Sequence, residues 1–177
     1  MKILVTYKSK TGYTRMYSEI IAEELDCTLM DLRKVTAEKM SAFDLVIFGG
    51  GLYRGRINGL KKAKEMLNRS TAKKLVVFAT GATPNAEKEV IEGVWKDNLT
   101  QEELKTIPHF YMQSGLCYEK MSFTDKILMK ALATMLKNKK DKNSFEKGLE
   151  EAIKSSYDIS SKEFAEPLVN YFSQIRN

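Results

Sequence analysis

The chain has 177 residues, of which 29 are basic and 23 acidic, so its net charge is +6, and 43% of the residues are hydrophobic. This length and composition are typical of a soluble globular protein, and we expect one domain over residues 1–177. No apolar stretch reaches the roughly 18–20 residues of a membrane span. Because Lys2 leads directly into a strand-like run, we expect no signal peptide.

The cysteines and the histidine predict neither a disulfide nor a metal site. Cys27 and Cys117 lie far apart without a CxxC motif, so we expect free thiols in a reducing cytoplasm. His109 follows Pro108 at the edge of a predicted strand, where a structural role is the simpler interpretation. The basic excess favours anionic partners in general. We expect no nucleic-acid partner.

The first predicted elements are a strand, a loop and a helix. Residues 2–7 form a short β-branched run, and residues 15–25 carry apolar side chains on one helical face. The loop between them contains Ser9, Thr11 and Thr14 around a single glycine, Gly12. Main-chain N–H groups and the positive helix end converge in such a loop, which predicts a phosphate site. An ordinary capped turn uses the same residue types and is the alternative.

Strands and helices alternate along the rest of the chain. The third predicted strand ends in a run of three glycines, and the fourth ends in Thr80-Gly81, so both are followed by permissive loops. We predict further strands at residues 27–32, 44–48, 73–79 and 107–112, and helices at residues 60–67, 85–95, 123–137, 144–155 and 161–175.

This alternation predicts an α/β fold. Five strands separated by helices, with right-handed crossovers, form a doubly wound five-stranded parallel sheet with helices on both faces. Ligands of such sheets bind beyond the carboxyl ends of the strands, where the winding direction switches. The loops at residues 8–14, 49–55, 80–84 and 113–118 all follow predicted strands, so we expect them to form one ligand site.

Other nucleotide-binding and signalling folds of this architecture lack their motifs here. The loop after the first strand has one glycine rather than G-x-G-x-x-G, and the chain has no G-x-x-x-x-G-K-[ST]. A phospho-acceptor receiver domain needs acidic residues after the first strand and an aspartate after the third. Lys8-Ser9 and Gly49-Gly50 occupy those positions.

The remaining pattern resembles the flavodoxin family across essentially the whole chain. The segment Tyr7-x-Ser9-x-Thr11-Gly12-x-Thr14 resembles the flavodoxin signature for the phosphate of flavin mononucleotide (FMN). Residues 44–55 resemble the third strand and the first flavin loop, and residues 75–81 resemble the fourth strand and the second flavin loop. The resemblance implies a flavodoxin-like sheet of order 2-1-3-4-5 and FMN as the cofactor.

The resemblance also assigns cofactor contacts, with Tyr53 in the place of the aromatic that covers the flavin ring. The chemistry would be the flavin's own, so no catalytic side chain and no metal are expected. The cofactor-binding residues predicted in this way are Ser9, Lys10, Thr11, Gly12, Tyr13 and Thr14 for the phosphate, Gly50, Gly51, Leu52, Tyr53 and Arg54 in the first flavin loop, and Thr80, Gly81, Ala82 and Thr83 in the second.

The sequence departs from electron-carrier flavodoxins in two ways. Those proteins are acidic and place a second aromatic, with acidic neighbours, in the loop after the fourth strand. Here that loop is Ala82-Thr-Pro-Asn85 and the chain is basic. The loop Gly51-Leu-Tyr-Arg-Gly55 and the Lys- and Met-rich helix after the fifth strand are more similar to flavodoxin-type quinone-dependent protoporphyrinogen oxidases and their relatives.

The helix predicted at residues 123–137 has two interpretations. Its apolar face comprises Phe123, Ile127, Leu128, Ala131, Leu132, Met135 and Leu136, with Lys126, Lys130 and Lys137 on the opposite side. The simpler interpretation is a helix packed on the sheet with its lysines in water. The alternative is a helix that lies at a membrane surface.

These observations leave functions of different classes open. One is an FMN-dependent oxidoreductase that passes electrons between the flavin and a small organic substrate or quinone. A second is a one-electron carrier that docks on protein redox partners. A third is a binding module that keeps the fold without a flavin. The oligomeric state and the electron donor are open at this stage.

Overall fold

The sheet of this protein is mainly parallel, as seen in a computed structural model that describes residues 1–176, with side chains described as far as residue 174. The neighbours run in the order β2-β1-β3-β5-β6, and each of these pairs is parallel. The strands are β1 (Ile3–Lys8), β2 (Thr28–Asp31), β3 (Leu45–Tyr53), β4 (Arg56–Ile57), β5 (Lys74–Gly81) and β6 (His109–Gln113).

Helices cover both faces of this sheet. They are α1 (Tyr13–Glu24), α2 (Ala37–Met40), α3 (Leu60–Asn68), α4 (Lys88–Asn98), α5 (Gln101–Thr106), α6 (Phe123–Asn138), α7 (Ser144–Ala152) and α8 (Glu166–Arg176). Alternate residues of the strands point to opposite faces. Val46 and Phe48 pack with α3 and α4, whereas Ile47 and Phe78 pack with α1 and α8. The predicted doubly wound α/β fold, with its order of parallel strands and helices on both faces, is therefore confirmed.

The predicted count of five strands is wrong by one short strand. β4 pairs antiparallel with the end of β3, with Leu52 opposite Ile57 and Tyr53 opposite Arg56. Arg54 and Gly55 join the two strands with φ of 51° and 74°, and two positive φ values are typical of a type I′ hairpin turn. A two-residue strand containing an arginine has no periodicity that a sequence pattern can detect. Residues 49–53, predicted as loop, belong to β3.

Several helix boundaries also differ from prediction. The helix predicted at residues 85–95 runs from Lys88 to Asn98, and the last predicted helix begins at Glu166, after a 3₁₀ turn at Lys162–Phe164. α2 and α5 were not predicted because both are too short to show a helical period. Thr100 and Glu103 form a capping box at the start of α5, and this motif is the sequence signal that locates the helix.

The packing expected for α6 is wrong. Phe123, Ile127 and Met135 are 79%, 53% and 63% exposed, whereas Leu136 is buried. α6 packs against α7, its closest neighbour in the fold, rather than lying flat on the sheet. The buried residues of α6 are Asp125 and Leu136, and much of the apolar face that the sequence marks faces solvent together with Lys126, Lys130 and Lys137.

Candidate functional site

A cavity of about 380 Å³ lies where the carboxyl ends of β1, β3, β5 and β6 meet. This edge includes the β1–β3 boundary, where the winding of the sheet changes direction, as expected for a ligand site of a doubly wound fold. The predicted residues that line it are Lys10, Thr11, Tyr13, Thr14, Gly51, Leu52, Tyr53, Arg54, Thr80, Gly81, Ala82 and Thr83. The sequence thus located the cavity, and the role of these residues in cofactor binding stays a prediction.

The β1–α1 loop presents a positive helix end to this cavity. Gly12 has φ 108°, a left-handed conformation that favours glycine, and its N–H donates to Ser9 Oγ at 3.1 Å. No side chain caps α1, and its first turn contains no acidic residue. The uncapped N–H groups of this turn and the helix dipole favour an anion at the mouth of the loop.

Three predicted residues shape the site without lining it. Ser9 and Gly12 are not among the described residues that line the cavity. They bond to each other and so stabilise the turn of the β1–α1 loop. Gly50 is absent for another reason: a Cβ on it would lie 2.5 Å from Ile57 Cγ2 and 2.8 Å from the Asn58 carbonyl oxygen. The close approach that requires this glycine is therefore the β4 hairpin rather than a ligand.

The hydroxyl groups of the loop have partners that the sequence does not reveal. Thr14 is buried and its Oγ1 lies 2.8 Å from Thr80 Oγ1, which ties the first loop to the loop after β5. The Tyr13 hydroxyl donates to the Tyr157 carbonyl at 3.0 Å. Burial raises the pKa of Tyr13 to about 12, with added repulsion from Asp158. Arg15, in the first turn of α1, pairs with Glu19 at 2.8 Å and does not line the cavity.

Tyr53 stands at the end of β3, on the wall of the cavity. Lys10 Nζ lies 3.8 Å from the centre of its ring, and Arg54 Cζ lies 5.3 Å from the same point. Both distances are within the range of a cation–π contact. A planar ligand that stacked on the ring face now covered by Lys10 would have to displace that side chain.

β6 positions the loop after β5. The Tyr111 hydroxyl donates to the Thr83 carbonyl at 2.9 Å, and the Asn85 N–H donates to Gln113 Oε1 at 3.0 Å. A Cβ on Gly81 would lie 2.8 Å from the Tyr111 hydroxyl and 2.9 Å from Leu52 Cδ1, so this position has room only for glycine. Burial raises the pKa of Tyr111 above its ordinary value, which keeps the hydroxyl a hydrogen-bond donor.

Three charged residues at the site were not predicted from the sequence: Lys8 and Asp125 line the cavity, and Lys120 lies close to the β1–α1 loop. Lys120 Nζ lies 3.4 Å from the position of a Cβ on Gly12. Asp125, 8% exposed, lines the cavity and lies 3.4 Å from Lys10 Nζ. The Tyr53 hydroxyl lowers the pKa of the Asp125 carboxyl, and Ser122 and Lys10 add to this effect although burial opposes it. The pattern Ser122-x-x-Asp125 marks the start of α6, but it does not locate that start beside the cavity.

The segment after β6 and the helix pair α6–α7 also give the cavity an apolar wall. No sequence pattern places these residues at the site, because their periodicity is equally that of packed helices. The wall is formed by Leu116, Met121, Leu128, Met129, Phe145 and Leu149.

Features of other kinds of site are absent from the part of the chain that the structure describes. No group of His, Cys, Asp or Glu side chains that would hold a metal ion occurs in residues 1–176. Within the same residues, none of the helices has the length and apolar character needed to cross a membrane. His109 packs its ring on Trp95 at 4.8 Å and contacts the Ile107 carbonyl, in agreement with a structural role.

The residues present fit the phosphate and ring of FMN. The positive end of α1, whose first turn contains no acidic residue, suits the phosphate group. The Asp125 Oδ1 atom is buried without a hydrogen-bond partner, so a ligand with an N–H or O–H group would satisfy it. The cavity also has the size of an ordinary cofactor site.

Comparisons with known proteins show which family the sequence matches. The sequence matches the Flavodoxin domain family over residues 4–143. An uncharacterised protein of Methanocaldococcus jannaschii is 32% identical over 87 residues, which cover 48% of this chain and 57% of that protein.

Solved structures with a similar fold include three flavoproteins. A flavodoxin from the domain Archaea is 12% identical with a TM-score of 0.42 and covers 88% of this chain and 100% of its own. A WrbA-like flavodoxin from Agrobacterium tumefaciens is 17% identical with a TM-score of 0.42 and covers 98% of both chains. Oxidised flavodoxin 1 from Bacillus cereus is 16% identical with a TM-score of 0.44 and covers 78% of this chain and 99% of its own.

Proposed function

Since the chain belongs to the flavodoxin family, we propose that it binds FMN and acts as an oxidoreductase that passes electrons between the flavin and a small organic substrate or quinone. The observation that carries the FMN assignment is the β1–α1 loop. Its uncapped positive helix end, free of acidic residues, opens into a cavity that Tyr53 also lines. A phosphate group is the ligand that this end attracts most strongly.

Each part of the site has a role in this proposal. The main-chain N–H groups of Tyr13 and Thr14 bind the phosphate, and the Thr11 hydroxyl donates to it. Tyr53 covers one face of the ring and excludes water from it. Thr80 to Thr83, held by Tyr111, place main-chain groups along the ring edge. The flavin, when bound, supplies the electron-transfer chemistry.

The apolar wall favours a small organic substrate over a protein partner. Leu116, Met121 and Phe145 lie on one side of the cavity, where they shield its interior. An apolar surface of this kind binds an organic molecule through burial rather than through charge. The alternative, a one-electron carrier, is supported by the exposed hairpin at Arg54, which brings the Tyr53 side of the site to the protein surface.

Flavin titration tests the cofactor part of the proposal. We expect the purified protein to quench FMN fluorescence on binding and to show a bound-flavin absorption spectrum. A protein that binds neither FMN nor riboflavin would be the flavin-free module instead.

Reoxidation separates the two redox functions. The FMN complex is reduced chemically without oxygen and then mixed with either a soluble quinone analogue or a redox protein such as cytochrome c. Rapid saturable reoxidation by the quinone supports the oxidoreductase. Rapid reoxidation by the protein acceptor alone supports the carrier.

A further inference from the structure

Residues 118–125 comprise the last part of the connection between β6 and α6 and the first turn of α6, and their backbone is anchored beside the cavity. Leu116 and Tyr157 exchange two main-chain hydrogen bonds of 2.9 Å, and the Tyr118 N–H donates to Ser156 Oγ at 2.9 Å. The Asp125 N–H donates to Ser122 Oγ at 3.2 Å and so fixes the first turn of α6. The backbone that carries Lys120 and Asp125 is therefore held by hydrogen bonds near both ends of the segment.

Near one end of the cavity, the side chain of Lys120 lies close to the β1–α1 loop. Lys120 Nζ lies beside Gly12, at the start of α1. The helix end is already positive, and its first turn contains no acidic residue, so an ammonium group there is electrostatically unfavourable unless an anion binds between them. A phosphate group with up to two negative charges removes this repulsion.

At the end of the cavity that Tyr53 lines, the same segment places the carboxylate of Asp125. Asp125 is 8% exposed, its Oδ2 lies 3.4 Å from Lys10 Nζ, and its Oδ1 has no hydrogen-bond partner in the described structure. A buried carboxylate oxygen without a partner costs free energy that a donor on a ligand recovers. The carboxylate faces the part of the cavity that Tyr53 lines.

We propose that residues 118–125 contact the flavin at both ends: Lys120 binds the phosphate, and the Asp125 carboxylate lies close enough to the ring to lower its reduction potential. This inference rests on the proposed FMN function. Reduction adds negative charge to the ring, and a fixed carboxylate nearby opposes that change. Replacing Asp125 by a neutral residue leaves the charge of Lys10 in place. The net charge beside the ring then becomes more positive by one unit.

Flavin titration of K120Q tests the phosphate contact, with K126Q as the matched control. Both lysines are exposed and neither lines the cavity, but only the Lys120 ammonium lies within 4 Å of a Cβ placed on Gly12. We expect K120Q to weaken FMN binding about tenfold, the size of one charge-assisted contact, and to leave riboflavin binding unchanged because riboflavin has no phosphate. K126Q should bind both ligands as the wild type does. Unchanged FMN affinity in K120Q, or an equal loss of riboflavin affinity, overturns the contact.

Redox titration of FMN-loaded D125N tests the second contact, with D141N as the control for an exposed carboxylate on the loop between α6 and α7. We expect the midpoint potential of D125N to move to a more positive value and that of D141N to stay at the wild-type value. D125S, which keeps a short polar side chain in the first helical turn, provides the same measurement if D125N does not fold. A wild-type potential in these variants overturns the role of Asp125.

A different result is expected if the proposed FMN function itself is wrong. In that case the wild-type protein itself binds no FMN, whatever residues occupy positions 120 and 125. Wild-type FMN binding together with unaltered K120Q, D125N and D125S variants overturns only the inference about residues 118–125.

Discussion

Gly81 is the residue at which the loop after β5 comes closest to its neighbours. A methyl group there would meet the Tyr111 hydroxyl and Leu52 at less than 3 Å, so we expect G81A to lower the free energy of unfolding by about 1–3 kcal/mol. The matched control is G93A in α4, where a Cβ meets no atom within 4 Å. A helical alanine should raise stability by up to about 1 kcal/mol. Urea denaturation measures both, and equal effects would contradict the crowding at Gly81.

We expect the two threonines of the β1–α1 loop, Thr11 and Thr14, to have different roles. Thr14 bonds to buried Thr80, so T14A leaves a buried hydroxyl unpaired and should cost about 1–3 kcal/mol of stability. Thr11 lines the cavity, and T11A should weaken FMN binding about tenfold while riboflavin binding stays unchanged. Denaturation and fluorescence titration of both variants test this division. It fails if T11A weakens the two flavins equally.

Asp31 gives the protein a predictable acid sensitivity. Hydrogen bonds from the Arg33 side chain are the main cause that lowers the pKa of Asp31 from 3.8 to about 2, and the Arg33 main-chain N–H contributes further. Because the folded-state pKa is the lower one, the stabilisation is present above about pH 4 and is lost as the pH falls towards 2. We expect both D31N and R33Q to lose less unfolding free energy than the wild type in this window, as measured by urea denaturation at each pH.

At the scale of elements, α6 is the helix whose packing the structure revises. Phe123 and Ile127 are largely exposed, so F123S and I127S should change the free energy of unfolding by less than about 0.5 kcal/mol. L136A on the same helix removes a buried side chain and should cost about 2–5 kcal/mol. A large loss of unfolding free energy in F123S would contradict this prediction. It would support the packing expected from the sequence, in which the whole apolar face is buried.

The β3–β4 hairpin shows how a short element arranges the site. Arg54 and Gly55, both at positive φ, reverse the chain directly after Tyr53. The Ile57 N–H and the Gly55 carbonyl then bond to the side chain of Asn98 at the end of α4, which anchors the hairpin. Tyr53 is therefore held by a bonded turn rather than by a flexible glycine loop.

On the scale of the whole molecule, charge and cavity are arranged together. Many of the lysines lie between Lys120 and Lys147, on α6, α7 and their connections, and the same two helices contribute Leu128, Met129, Phe145 and Leu149 to the cavity wall. A positive surface on these elements raises the local concentration of anionic ligands, and salt weakens this effect. The basic residues of this part of the chain thus lie on the elements that form one wall of the cavity.

The sequence by itself determined the fold and the place of the site. β1, β3 and β5 are continuous apolar runs whose following loops carry Gly and Thr, so local patterns were sufficient to predict the parallel sheet and the edge where its ligand binds. The phosphate loop was predictable for the same reason, because its hydroxyl residues, its glycine and its helix are consecutive in the chain.

Only the tertiary structure decided which distant side chains complete the site. Lys10 and Asp125 are separated by 115 positions, and Tyr111 reaches back 28 positions to the Thr83 carbonyl. It also decided that α6 turns part of its apolar face to water, because a helical period fixes the direction in which side chains point and not the neighbour they meet. Contacts of this kind depend on how whole elements pack, and packing is set by the shapes of both partners together.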